Sequence, residues 1–150
     1  MRRFVLDTNV VLAALKDHPL WSHVQSKYNL SADDALLIIS TATVGELLSL
    51  AEQQGWGQPK KEKLEKILRR YVIIDISHAD DPIMSTYARI DAFSQGKLTG
   101  HTLGLSSRNM GKNDPWIAAT AAVTNAKLIT TDADFDHLGE VFLDLDRQIV

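Results

Sequence analysis

The chain has 150 residues, of which 45% are apolar and 23% are charged, so it is long and apolar enough for one globular domain with a core. It contains no cysteine, which excludes disulfide bonds and thiolate metal sites. The net charge of −3 does not itself indicate nucleic-acid binding, and no stretch approaches the ~20 apolar residues of a membrane span. We therefore expect a soluble protein with a single domain over residues 1–150.

The first predicted element is a short apolar strand at residues 4–6, followed by a buried helix over residues 10–15. Asp7, Thr8 and Asn9 lie between them. Considered alone, Asp7 or Thr8 is interpreted as the N-cap of this helix, because helix N-termini favour a nearby carboxylate. The alternative is a ligand site, since ligands of parallel α/β sheets bind outside the carboxyl ends of the strands.

Helices and strands alternate through the middle of the chain. Helical spacing of apolar residues predicts helices over residues 17–30 (beginning near Pro19), 40–55, 59–71 and 80–94, and short apolar runs predict strands at 35–39 and 72–76. Glu46 lies in an early turn of the helix predicted at 40–55, where Thr43 and Glu46 match a capping box. The basic run at 60–70 favours a solvated helix face over a phosphate-binding surface.

Residues 95–113 interrupt this alternation with four glycines and several polar residues, which predicts a long loop. Long loops inside compact domains are often functional. His101, Arg108 and Lys112 are candidate contacts for a phosphate chain, although a single histidine in such a loop is more often an ordinary surface residue.

The last third of the chain contains two further acidic positions. Asp114 and Pro115 are typical of an N-cap and first turn, and they begin a predicted helix over residues 114–126. A strand at residues 127–130 follows and leads directly to Asp132 and Asp134. A short final strand is predicted at residues 141–145.

This alternation predicts an α/β fold in which a mainly parallel sheet of about four to five strands is covered on both faces. Right-handed crossovers place the carboxyl ends of parallel strands at one edge, so the acids at strand ends and helix starts would face one crevice. Unpaired carboxylates there would raise one another's pKa values. A hard divalent cation removes that repulsion, and oxygen ligands suit Mg²⁺ or Mn²⁺. Four independent caps are the alternative.

Four motifs in this order resemble those of PIN-domain nucleases, most closely the VapC-type toxin ribonucleases of toxin–antitoxin systems. They are LDTN around Asp7, VGELL around Glu46, NDPWIAATA around Asp114 and LITTDADF around Asp132. The resemblance covers nearly the whole chain. It implies a three-layer α/β/α PIN-like fold and an endoribonuclease that uses one or two Mg²⁺ or Mn²⁺ ions.

The resemblance also implies roles for individual residues. Its catalytic and metal-binding positions are Asp7, Glu46, Asp114 and Asp132, with Asp134 as an accessory ligand. Polar neighbours that orient the carboxylates or the attacking water would be Thr8, Asn9, Asn113 and Thr130. The family further implies in-line hydrolysis of RNA to 5′-phosphate and 3′-hydroxyl ends. It also implies a homodimer, an antitoxin protein partner and a cytoplasmic location.

Other interpretations of the acidic residues are weaker. Asp132, Asp134 and Asp136 invite an EF-hand interpretation, but His137 occupies the glycine position and Leu143 the final glutamate position. The serious alternative is a PIN fold that binds RNA or protein with little or no cleavage. Because all four matched positions are acidic, the nuclease is favoured. The 95–113 segment is longer and richer in glycine than the short connection usual in the family.

Overall fold

A computed structural model describes residues 1–75, 81–104, 106–108 and 110–150, and for Asp81 only the backbone. Its strands are β1 (Arg2–Leu6), β2 (Ala35–Ser40), β3 (Val72–Ile74), β4 (Lys127–Thr130) and β5 (Asp144–Arg147). Its helices are α1 (Thr8–Leu15), α2 (Pro19–Tyr28), α3 (Thr41–Gln54), α4 (Gln58–Leu68), α5 (Asp81–Ser94) and α6 (Asp114–Thr124). A 3₁₀ segment, Ala133–Leu138, follows β4.

The five strands form one parallel sheet in the order β3-β2-β1-β4-β5. Strand β1 is central, and its Val5 lies opposite Ile38 of β2 and Leu128 of β4. The chain builds outward from β1 through β2 to β3 and then returns to the other side of β1. The boundary between β1 and β4 is therefore a topological switch point, where α/β sheets open a crevice beyond their carboxyl ends.

Side chains alternate along the central strands, so each face of the sheet has its own core. Phe4 and Leu6 of β1 pack with Ile129 in a core that also takes buried residues of α1 to α4. Val5 and Leu128 pack on the opposite face against α5, α6 and the 3₁₀ segment. Full burial of each such side chain contributes about 1.5–3 kcal/mol. The predicted three-layer α/β/α arrangement with a parallel sheet is confirmed.

The final strand differs from its prediction. It was expected at residues 141–145 and forms at Asp144–Arg147 instead, with Asp144 opposite Lys127. The backbone amides of Val141 and Phe142 both donate to the carbonyl of Leu138, so the apolar residues there belong to a turn. The Lys127 ammonium and the Asp144 carboxylate form an ion pair at 3.2 Å. A polar edge strand lacks the apolar run on which the prediction depended.

Two predicted helix caps are wrong, although both helices begin within one residue of their predicted starts. The Ser40 hydroxyl caps α3, because it accepts a hydrogen bond from the amide of Ala42 at 3.1 Å, and so Thr43 and Glu46 form no capping box. Asn113, not Asp114, is the N-cap of α6. The prediction that Asp7 or Thr8 caps α1 is confirmed for Asp7, since its Oδ1 accepts a hydrogen bond from the amide of Thr8 at 2.7 Å.

The remaining differences concern the ends of elements. Helix α2 ends at Tyr28 because Asn29 takes a left-handed conformation with φ 49°, and strand β3 ends at Ile74. Ile76 and Asp80, the predicted end of that strand and start of α5, lie outside the described residues. The described part of 95–113 contains no helix or strand, as predicted. No helix among the described residues is long and apolar enough to span a membrane.

Candidate metal centre

The five predicted acids meet beyond the carboxyl ends of β1 and β4. Asp7 directly follows β1, Glu46 lies in α3, Asp114 begins α6, and Asp132 and Asp134 follow β4. One carboxylate oxygen from each of Asp114, Asp132 and Asp134 lies within 4.8 Å of the other two. The charges of Asp7 and Glu46 both raise the pKa of Asp114, so those two acids lie beside the same cluster.

Asp7 is the most deeply placed of these acids, with 4% of its surface exposed. Its Oδ1 accepts from the amide of Thr8 at 2.7 Å, and its Oδ2 accepts from Oγ1 of Thr130 at 2.6 Å. Burial raises its pKa, these two hydrogen bonds oppose the increase, and the charge of Asp132 adds to it. Asp7 is thus fixed in position yet electrostatically unfavourable in its ionised form.

Asp114 carries the largest pKa shift in the cluster. Burial, followed by the charges of Asp7, Asp132 and Glu46, raises the pKa of its carboxyl to about 7. The amide of Gly111 donates to its Oδ2 at 3.2 Å and partly opposes this shift. A Cβ at position 111 would lie 3.1 Å from the same oxygen. Gly111 therefore allows the backbone to approach the acid closely.

Glu46 approaches the cluster from α3. Burial and then the charge of Asp7 raise its pKa, while Asn113, Thr8 and Lys112 lower it. Its Oε1 is buried and has no hydrogen-bond partner within the described part of the chain. A buried carboxylate oxygen without a donor is costly, and a cation would satisfy it. This oxygen is the feature of the cluster that fits a bound metal most directly.

A tight turn places Asp132 and Asp134. The amide of Asp132 donates to Oγ1 of Thr130 at 3.0 Å, and the amide of Asp134 donates to Oδ1 of Asp132 at 2.8 Å. Asp134 is exposed and Asp132 is partly buried. The turn thus presents two carboxylates next to Asp114.

The four predicted supporting residues differ in their placement. Thr130 contacts Asp7 directly, and Asn113 lies beside Glu46. Thr8 is buried and donates to Oγ1 of Thr43 at 3.4 Å. Asn9 is exposed, and its amide donates to Oγ1 of Thr131 at 3.5 Å rather than to a carboxylate.

The candidate phosphate-binding residues also separate. Lys112 lines a groove beside Glu46, and its charge lowers the pKa of that acid. Arg108 lies instead beside His137, whose pKa is lowered by burial and then by the Arg108 charge. His101 is exposed and belongs to a separate depression in the 95–113 loop.

A groove of about 520 Å³ extends from the acids along α3. Its lining residues are Ala42, Gly45, Glu46, Ser49, Leu50, Gln53 and residues 111–114. Glu46 and Asp114 are the two acids that line this groove, which is open to solvent.

Three supporting features were missed at the sequence level. Gly111 lies two residues before Asn113 of the NDPW motif, and a glycine at that point was the available signal. Thr43 was assigned to a cap, although it is buried against Thr8. Oγ of Ser94 lies 2.7 Å from Nε2 of His137, a contact between residues too distant in sequence for any pattern to reveal it.

The donor set consists of carboxylate oxygens, which suits hard cations such as Mg²⁺ or Mn²⁺. Within the described residues, this cluster combines mutual repulsion with one unsatisfied buried oxygen. A divalent cation bound between the acids would relieve both costs. The residues present therefore fit such a metal.

Comparison with known proteins identifies the family of this chain. The model of the PIN domain matches residues 4–141. Ribonuclease VapC2 of Haemophilus influenzae is 29% identical over 136 residues, which cover 88% of each chain. Two solved structures share the fold. VapBC2 from Rickettsia felis, bound to a DNA fragment from their promoter, aligns with a TM-score of 0.74 and 24% identity over 97% of this chain and 98% of that chain. VapBC-1 from nontypeable Haemophilus influenzae aligns with a TM-score of 0.70 and 22% identity over 97% of each chain.

The family model covers all four motifs on which the predicted resemblance depends. The relatives named above are VapC-type proteins, so the predicted likeness to that branch is confirmed as well. The chain belongs to the PIN-domain family.

Proposed function

We propose that this protein is a divalent-metal-dependent endoribonuclease and the toxin of a toxin–antitoxin pair, active in the cytoplasm. The observation that carries the proposal is the acid cluster, in which one carboxylate oxygen from each of Asp114, Asp132 and Asp134 lies within 4.8 Å of the other two and the charges repel one another. Such repulsion is a cost to the folded chain unless a cation is bound there. The relative named Ribonuclease VapC2 supports RNA as the substrate.

Asp114, Asp132 and Asp134 would hold one or two Mg²⁺ or Mn²⁺ ions, with Glu46 and Asp7 as further ligands, directly or through water. When bound, such ions lower the pKa of a water molecule and stabilise charge on the phosphate and the leaving oxygen. We infer that the reaction is an in-line hydrolysis that leaves 5′-phosphate and 3′-hydroxyl ends.

The chain's own residues prepare the site for this chemistry. Thr130 fixes Asp7, and the Gly111 amide fixes one oxygen of Asp114. Lys112 supplies a positive charge beside Glu46, where it would attract a phosphate of the incoming strand. Arg108 lies beside His137 and is a further candidate contact for the strand.

Partners are proposed on the same basis. Similar solved structures include a toxin–antitoxin complex from Klebsiella pneumoniae, which shares the fold with a TM-score of 0.62. We infer that a single PIN domain over residues 1–150 forms a homodimer and is covered by an antitoxin protein. Size-exclusion chromatography with light scattering would measure the mass of the purified chain, and a monomer at all concentrations would exclude the dimer.

The proposed activity is tested by incubating total RNA, including tRNA, with the purified chain and Mg²⁺, Mn²⁺ or EDTA. Asp114→Asn removes a charge from the cluster with little change in volume. Asp33→Asn is the matched control, because Asp33 is exposed and precedes β2 at the opposite edge of the sheet. We expect metal-dependent cuts from the unsubstituted chain and the control, and none from Asp114→Asn.

Cuts that persist in EDTA or in Asp114→Asn would contradict the metal-dependent mechanism. RNA binding in a gel shift, without cleavage of any RNA, would favour the alternative of a PIN-fold binding module. Mapping the ends of the products would distinguish 5′-phosphate from 5′-hydroxyl termini.

A further inference from the structure

The groove beside the acids extends well beyond them. Glu46 and Gln53 both line it from α3, seven residues and about two helical turns apart. At ~1.5 Å per residue, this spacing corresponds to ~10 Å along the helix axis. The groove therefore has an acidic end and a distal end, which is formed by Ser49, Leu50 and Gln53.

The α3 wall of the groove also includes two small residues. These are Ala42 and Gly45, which precede Glu46 on the helix, and a Cβ added to Gly45 would meet no atom within 4 Å. Leu50 adds a partly buried apolar side chain. Small residues beside one apolar side chain leave room for a flat group to enter.

The distal end is polar but uncharged. Nε2 of Gln53 donates to Oγ of Ser49 at 2.8 Å, and both side chains are exposed to the groove. This contact leaves the amide oxygen and the second amide hydrogen of Gln53 available, since the described residues provide them with no partner. The cation of the groove, Lys112, lies at the acidic end. The distal end therefore suits a neutral hydrogen-bonding group rather than a phosphate.

We propose that Gln53, held by Ser49, is a specificity-determining residue that binds the base of a nucleotide adjacent to the scissile phosphate. This inference rests on the proposed ribonuclease function. Unpaired bases of single-stranded RNA are recognised through hydrogen bonds to their edges. A glutamine amide offers one acceptor beside one donor, which matches the N6–H donor and N7 acceptor on the Hoogsteen edge of adenine, where guanine presents two acceptors. The expected ligand is thus single-stranded RNA with adenine at one fixed position beside the cut.

The test compares cut sites, because the distribution of bases around a cut does not depend on the overall rate. A single-stranded RNA pool with a randomised window is digested with Mg²⁺, and the product ends are sequenced. We expect adenine to be preferred at one flanking position by about fivefold to a hundredfold, the range of a bidentate amide–base contact. Gln53→Ala should reduce this preference to less than about twofold.

Gln25→Ala is the matched control. Gln25 also donates to a serine hydroxyl, that of Ser31 at 3.1 Å, but in a separate groove. The distribution of bases around the cuts made by Gln25→Ala should equal that of the unsubstituted chain. An unchanged distribution in Gln53→Ala, or the absence of any flanking preference in the unsubstituted chain, would overturn the inference.

A second measurement separates this inference from the proposed activity. Fluorescence anisotropy with labelled oligo(A) and oligo(U) reports binding even if no RNA is cut. Tighter binding of oligo(A) that Gln53→Ala abolishes would support the base subsite while the nuclease proposal fails. Equal affinity of both proteins for both probes would overturn the subsite, and this result includes the case in which the groove binds a protein segment instead.

Discussion

Oγ1 of Thr130 lies 2.6 Å from Oδ2 of Asp7, joining two residues that are 123 positions apart in the chain. Thr130 is the last residue of β4, and Asp7 directly follows the adjacent strand β1. The same hydroxyl accepts a hydrogen bond from the amide of Asp132 at 3.0 Å. One side chain therefore fixes the spacing between an acid near the beginning of the chain and an acid near its end.

Thr130→Val should destabilise the protein and impair its metal site. Valine keeps the shape of the side chain but removes both hydrogen bonds, leaving buried polar groups unpaired at a cost of about 1–3 kcal/mol. The pKa of Asp7 should rise further, because the Thr130 hydroxyl lowers it. Urea unfolding measures the stability change. Thr124→Val is the control, since the Thr124 hydroxyl donates only to carbonyls of its own helix. The cost of this substitution should stay at about 0.5 kcal/mol.

The stability of the metal-free protein should fall as the pH rises from about 4 to about 7. The pKa of Asp114 is about 7 in the folded chain, against an ordinary value of 3.8. Between these values the folded chain holds a proton that the unfolded chain has lost, so increasing pH favours unfolding. The raised pKa values of Asp7 and Glu46 act in the same direction.

Urea unfolding in EDTA at several pH values, with Asp114→Asn alongside, measures this dependence. The variant lacks the titrating group, so the difference in stability between the two proteins should change across this range. Asp34 and Asp146, whose pKa values are lowered, contribute below pH 3.8. The lowered pKa of His137 acts in the opposite direction below pH 6.5, but it is present in both proteins and cancels from the difference between them. Parallel curves for the two proteins would contradict the assignment.

Metal binding should strengthen with pH up to about 7. Since Asp114 must lose its proton to act as a ligand, the affinity for Mn²⁺ should fall close to tenfold per pH unit below its pKa of about 7. Isothermal titration calorimetry in two buffers of different ionisation enthalpy would measure affinity and proton release together. Affinity that is independent of pH between 5.5 and 7 would exclude Asp114 as a ligand.

Ser94→Ala should loosen the 95–113 loop. Oγ of Ser94 lies 2.7 Å from Nε2 of His137 and 3.2 Å from the sulfur of Met110, near the far end of the loop. Nδ1 of His137 is buried without a partner in the described chain, so the substitution would leave both ring nitrogens unpaired. The expected cost is about 1–3 kcal/mol.

Hydrogen exchange provides the specific measurement for this variant. Amides of residues 110–113 should exchange several-fold faster in Ser94→Ala. They should be unchanged in Ser22→Ala, which alters an exposed serine of α2. Equal exchange in all three proteins would show that the contact does not hold the loop.

The sequence predicts the layers and the convergence of the acids because both depend on short patterns. Runs such as residues 4–6 and 35–39 are apolar without alternation, since central parallel strands are buried on both faces. An acid that follows such a run then lies at the shared carboxyl edge, whichever helix comes next. The placement of Asp7 and Asp132 could be anticipated in this way.

Features that depend on contacts between distant residues could not be predicted. Asn9 lies within the LDTN motif, yet its amide contacts Thr131 rather than an acid. Ser94 and His137 meet through tertiary packing alone. Strand β5 was misplaced because it is formed by backbone pairing with β4, and its largely polar residues provide no apolar run.

The contact between Asp7 and Thr130 has a consequence for how the protein is made. Strand β1 is synthesised first, but its partner β4 and the turn bearing Asp132 and Asp134 follow only after residue 126. Domains acquire structure while they emerge from the ribosome. A nascent chain that ends before residue 132 lacks two of the five acids. The complete cluster therefore cannot exist while most of the protein is being translated. Assembly of the site is thereby coupled to near-completion of synthesis.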